Sequence, residues 1–187
     1  ALEGAGRPLT RVRRLFSIFA SSMSTPEIQA VEREWSPKFA ALSDEVLLNP
    51  QLFQRIEKVY QSPKGLNPEQ KRLAWWYHTE FVRSGAALDP ASKKKLSAYN
   101  QRLAELFTSF GQNLLADEEN QTVTLSRPEE LTGLPASMVN PDGATVIRNT
   151  RSSAEPFLTF SERRDLREKV WRMWVSRGET TNHPIAA

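Results

Sequence analysis

The chain has 187 residues, of which 39% are hydrophobic and 25% charged, a length that fits one domain or part of a larger one and suffices to enclose a core. A net charge of +3 is too slight a bias to imply a nucleic-acid partner, and the absence of cysteine excludes disulfides and thiolate metal sites. No apolar run approaches the ~18 residues of a membrane span.

The predicted elements are mostly helical. From Leu2 to Met23 the apolar residues Leu2, Ala5, Leu9, Val12, Phe16, Phe19 and Met23 recur at three-four spacing, which predicts one long amphipathic helix with a core-facing stripe, kinked at Pro8. Thr25-Pro26 opens a second helix with Ile28, Val31, Trp35, Phe39, Leu42 and Val46 on its buried face and a bend at Pro37. Asn49-Pro50 opens a third, bearing Phe53, Ile56 and Tyr60. Asn67-Pro68 opens a fourth, with Leu73, Trp76, Tyr77 and Phe81 inward and a glycine stop at Ser84-Gly85. Asp89-Pro90 opens a long fifth helix whose stripe is Leu96, Tyr99, Leu103, Leu106, Phe110 and Leu114. Four starts of the form polar cap plus proline, joined by short connections, favour antiparallel neighbours in a bundle. A coiled-coil partner is the rival reading of the first and fifth stripes.

After Asn120 the pattern changes. Gln121–Leu125 alternates and is β-branched, so it reads as a strand. Ser126-x-x-Glu129 reads as a capping box for a short helix around Leu131, and Asn140-Pro141-Asp142-Gly143 as a turn. Ala144–Arg148 is a second strand, antiparallel to the first. Phe157–Phe160 then leads into Ser161 as the cap of a last helix, which carries Leu166, Val170, Trp171 and Trp174 and stops near Gly178. Asn182-His183-Pro184 has the form of a further helix start.

The chemistry-bearing residues are few. His78 precedes Thr79, His183 precedes Pro184, and the two are far apart in sequence. Neither has the helical His-x-x-x-His spacing that lets two imidazoles share one zinc. Glu118/Glu119 and Glu129/Glu130 are adjacent pairs that a helix would splay by about 100°, which suits solvated charges better than acid–base work. The basic clusters Arg11/Arg13/Arg14, Lys93/Lys94/Lys95 and Arg163/Arg164/Arg167 read as solvated helix faces rather than phosphate sites. Trp75-Trp76-Tyr77 reads as aromatics divided between core and rim. No Gly-x-Ser-x-Gly elbow or phosphate-cradling glycine loop occurs. The sequence therefore offers no catalytic, cofactor-binding or metal-binding residue.

Two passages carry a resemblance. Leu96–Glu119, LSAYNQRLAELFTSFGQNLLADEE, and Asn149–Lys169, with its Pro156, Phe157-Leu158 and Arg164-Asp165-Leu166-Arg167-Glu168, occur in order and at a plausible distance. Together they resemble the zinc metallopeptidases related to thimet oligopeptidase, above all the bacterial peptidyl-dipeptidase branch. The resemblance spans most of the chain and is weaker before Gly85. Segment 136–144 is shorter than that family's usual insertion between the strands.

The resemblance implies a mainly α fold. It is an antiparallel helical bundle with a small two-stranded β element, part of a larger two-lobed metallopeptidase. It divides the chain into a bundle lobe at 1–118, a strand and turn segment at 119–160, and a helix at 161–187 leading toward a catalytic part beyond Ala187. There His-Glu-x-x-His and a further Glu would hold zinc. The implied partners are short peptides and that catalytic region, not nucleic acid or membrane. On this reading the chain is an N-terminal scaffold and channel wall, inactive alone. The alternative is a stand-alone helical interaction module. The compartment stays open between cytoplasm, which is favoured, and periplasm.

Overall fold

The computed structural model describes residues 4–186. Helix α1 spans Arg7–Ser22. Pro8 lies in its first turn, where a missing N–H breaks no helical bond, so it starts the helix and the expected kink does not arise. Leu2, the first residue of the predicted stripe, lies outside the described residues.

The next four helices begin at the predicted polar-proline pairs. Thr25 caps α2 (Pro26–Leu47) through Ile28 N, and Asn49 caps α3 (Pro50–Gln61) through Leu52 N at 2.9 Å. Asn67 and Gln70 form a reciprocal capping box on α4 (Pro68–Arg83), with N···O distances of 2.8 and 3.1 Å. Asp89 accepts from Ala91 N and Ser92 N at the head of α5 (Pro90–Asn120). Gly85 ends the run after α4 in the left-handed conformation, φ +96°. Ala86 N bonds Phe81 O and Gly85 N bonds Val82 O, the paired closure of a Schellman turn.

The chain divides into two compact units, Ala1–Thr108 and Ser109–Ala187. In the first, α3 and α4 pack around Phe53, Ile56, Phe81 and Ala86, with Leu47, Leu52 and Tyr77 at the margin. Several residues expected inside are not. Leu73 and Trp76 of α4, Val31, Trp35, Leu42 and Val46 of α2, and Tyr99 and Leu103 of α5 are exposed, and so are most of the α1 stripe and Phe110 of α5. Periodicity reports which face of a helix is apolar; it does not report whether this chain supplies a cover for it. The buried residue of α2 is instead Asp44, whose Oδ1 accepts from Asn100 Nδ2 at 2.8 Å.

The second unit holds the better-sealed core. Strands β1 (Thr122–Leu125) and β2 (Thr145–Arg148) pair antiparallel, with Val123 opposite Ile147 and Leu125 opposite Thr145. These side chains are buried against Ala154 and Phe157 of α6 (Arg151–Phe160) and Val170 of α7 (Arg164–Val175). The turn between the strands closes as its composition predicts: Asp142 N bonds Asn140 Oδ1, and Asn140 N bonds Thr145 Oγ1.

Three local readings need correction. Helix α6 occupies the residues read as a lead-in, with Pro156 inside it. Ser161 therefore ends α6 instead of capping α7, and its Oγ accepts from Arg163 N in the corner between them. Asn182-His183-Pro184 is not a start either. Helix α8 spans Glu179–Ala186, and Gly178, φ +74°, makes the turn into it from α7.

Candidate functional site

The strand pair is the feature most able to meet another molecule. Arg148 N–H donates to Ser153 Oγ at 3.0 Å instead of to Thr122, so Thr122↔Arg148 is a non-bonded pair of the ladder. Alternation then makes Thr124↔Val146 non-bonded as well, and the peptide groups of Thr122, Thr124 and Val146 point away from the partner strand. Thr124 and Val146 make no other backbone hydrogen bond among the described residues. Their side chains, with those of Thr122 and Arg148, form the solvent face of the sheet. Both edges therefore present unpaired donors and acceptors, the arrangement to which an extended chain adds as a strand.

The anchor of β1 lies one residue beyond the predicted Glu129. Glu130, not Glu129, reaches back across the 3-10 turn Pro128–Glu130, accepting from Ser126 N at 2.8 Å and Arg127 N at 3.1 Å. Its other oxygen takes the Arg127 guanidinium, with Nη2 at 2.7 Å. The guanidinium bond first, and then the two backbone N–H groups, hold the Glu130 carboxyl down at about 2. Because the folded value lies below the unfolded one, this contribution to stability is complete above about pH 5 and is lost as pH falls toward 2. Glu130→Gln is expected to be less stable than the wild type at neutral pH and to lose less stability between pH 5 and pH 2. Urea midpoints measured across that range check this; parallel pH profiles would exclude it.

A second polar knot joins the end of α5 to the α7–α8 turn. Buried Asp117 accepts from Gly178 N at 2.7 Å. Buried Asn182 donates to Phe110 O at 3.2 Å and accepts from Asn113 Nδ2 at 3.0 Å. Arg177 pairs with Glu118. Gly178 has φ +74°, a conformation strained for any L side chain, and a Cβ there would also lie 2.8 Å from Asn182 Nδ2 and 3.0 Å from Leu114 Cδ2, so this turn favours glycine. Beside it, an open groove of about 760 Å³ runs along α6, lined by Glu118, Thr150, Arg151, Ser152, Glu155 and Phe160. Its charges are internally matched: Arg151 pairs with Glu155, and Glu118 with Arg177.

The remaining candidates resolve into structural roles. His78 stacks on Tyr60, with ring centroids 4.2 Å apart, and on Phe53 at 5.7 Å. His183 is exposed on α8. Among the described residues no group of three or more His, Cys, Asp or Glu side chains is placed to hold a metal. The described residues do not fit a zinc centre. Of the basic clusters, Arg163 pairs with Asp165, Arg167 donates to Ser161 O, and Lys93 donates to Leu48 O at the end of α2. Arg72 lies over Trp75, 3.9 Å from the ring centroid, while Tyr77 meets the edge of Trp76. Among the described residues no helix is long and apolar enough to cross a membrane.

Sequence reasoning missed Asp117, Asn149 and Asn182 as buried residues. Their polarity argued for solvent, and only the non-local bonds to Gly178, Gln121 and Phe110 account for their burial.

Comparison with known proteins supplies the context. No protein-family model matches the chain. Among curated proteins it is 29% identical to dipeptidyl carboxypeptidase of Escherichia coli, over 96% of this chain and 28% of that protein. It is 34% identical to the Salmonella typhimurium enzyme of the same name, over 72% of this chain and 20% of that protein. An organellar oligopeptidase A of Arabidopsis thaliana is 22% identical over 92% of the chain and 24% of that protein. The relatives are peptidases, and the chain spans between a fifth and just over a quarter of their length. Its homologues are named dipeptidyl carboxypeptidase and oligopeptidase A, peptidases of the thimet oligopeptidase family, and they cover nearly the whole of this chain.

Proposed function

We propose that this chain is the scaffold and channel-wall portion of a zinc-dependent oligopeptidase or peptidyl-dipeptidase acting on short peptides. The observation that carries the reading is the match to dipeptidyl carboxypeptidase along almost the whole chain and only 28% of the relative. The donor set supports the division of labour. His78 is stacked between aromatic rings and His183 stands alone on α8, so the metal and its ligands belong to a part of the protein other than these residues. What this portion offers to substrate is backbone. The outward peptide groups of Thr122, Thr124 and Val146 pair with an extended peptide irrespective of its side chains, which suits an enzyme of broad peptide specificity.

The purified 187-residue chain is expected to bind no stoichiometric zinc and to release no dipeptide from a peptide substrate. Metal analysis after dialysis, with a peptide hydrolysis assay, checks both. Hydrolysis by this chain that a chelator abolishes would overturn the assignment of the site to other residues.

A further inference from the structure

Helix α1 carries an apolar face that its own unit leaves open. Val12, Leu15, Ile18, Phe19 and Met23 are each 51–61% exposed. At about 100° per residue they lie on one continuous arc, while Arg13, Phe16, Ser17 and Ala20 lie on the side facing α2. Arg13 is held there, 4.5 Å over the Phe39 ring. Of the other three arginines of the helix, Arg7 and Arg14 fall at the Ile18 edge of the open arc and Arg11 just inside it, between Ile18 and Leu15, and the helix contains no acidic residue. Four large side chains on one helix and a fifth, Met23, at its C-cap, with a cationic edge on one side, are more apolar surface than scattered exposure accounts for.

We infer that this face seats an amphipathic helix whose own border is acidic, contributed by the remainder of the longer polypeptide that the relatives' length implies. The inference rests on the scaffold reading above. Charge selects this occupant over an anionic lipid surface. Helix α2, packed beside α1, carries five carboxylates and two basic side chains, so an anionic plane meeting α1 would also meet a repelling neighbour. A single helix laid along α1 brings its carboxylates to Arg7, Arg11 and Arg14 and its apolar residues to Val12, Leu15 and Phe19, the helix-in-groove mode of recognition.

The test uses the purified chain and two labelled synthetic helical peptides with the same leucine face, one flanked by glutamate and one by lysine. Fluorescence anisotropy at ~0.1 M salt is expected to show the glutamate peptide binding at least ~10-fold more tightly, the sum of two or three exposed ion pairs. Phe19→Asp should abolish binding of both peptides, and Arg11→Glu with Arg14→Glu should reverse the preference. All three positions are exposed, so circular dichroism of the variants should be unchanged. Equal affinity for the two peptides, no binding of either, or a glutamate preference that survives the arginine reversal would overturn the inference. So would tighter binding to phosphatidylglycerol vesicles than to the glutamate peptide. None of these readouts involves zinc or hydrolysis, so a failure here is distinct from a failure of the scaffold reading.

Discussion

Phe157→Ala is expected to destabilise the second unit by ~3–5 kcal/mol, the largest effect of any single substitution in it. Phe157 is fully buried at the centre of the cluster that joins β1, β2, α6 and α7. Truncation loses the transfer energy of the ring and leaves a cavity walled by two strands and two helices, which collapse poorly around a gap. Trp174 is packed against the same cluster and reports the loss directly. Urea denaturation followed by tryptophan emission should show a lower midpoint with an unchanged slope. A shift worth less than ~1 kcal/mol would mean that this cluster does not hold the unit together.

Gly133→Ala should be nearly as damaging, for a different reason. Gly133 has φ +84°, and a Cβ there would lie 2.3 Å from the Phe160 carbonyl oxygen and 3.1 Å from Glu162 N. That contact is backbone against backbone, where Glu162 N bonds Thr132 O at 3.0 Å. No rotamer change can relieve it. The positive φ costs about 1 kcal/mol and the overpacking a further 1–3 kcal/mol, giving ~2–4 kcal/mol together. Gly65 is the internal control, with φ +81° but open space around it. Gly65→Ala should cost only the conformational part, about 1 kcal/mol. Equal losses for the two variants, measured by urea midpoint, would show that the 126–135 loop does not dock on the α6–α7 corner as described.

Helix starts were the most legible part of the fold. Thr25, Asn49, Asn67 and Asp89 each satisfy an orphan N–H of the following first turn, and each precedes a proline that needs none. That signal is local, so the sequence contains all of it. The strand pair was legible for the same reason, since alternation and an Asn-Pro-Asp-Gly turn lie within one short segment. Proline also misled. Pro156 and Pro184 sit inside α6 and α8, where tertiary packing overrides the local penalty, and both helices were lost to the reading.

Burial was the least legible. The stripes of α1 and α5 are helical as expected, yet Phe19, Tyr99 and Leu103 face solvent, because coverage depends on what lies opposite. The site inverted the usual rule in the other direction. Asp117 and Asn182 are polar and buried because Gly178 N and Phe110 O face them, partners more than sixty residues away in the chain. No periodicity records such a pair. The outward peptide groups of Thr124 and Val146 needed the ladder register, which no local pattern records.

The Asp117–Gly178 and Asn182–Phe110 bonds give the second unit a particular order of events during synthesis. The strand hairpin and the α6–α7 corner close over short separations and can form as soon as their residues appear. The unit's first turns wait for its last. Until Gly178 and Asn182 leave the ribosome, the buried carboxylate of Asp117 has no donor and the carbonyl of Phe110 no side-chain amide. The turn into α8 therefore closes on α5 late, as a clasp closes a bracelet, and a nascent chain arrested at Val175 should hold the hairpin formed and the circle open.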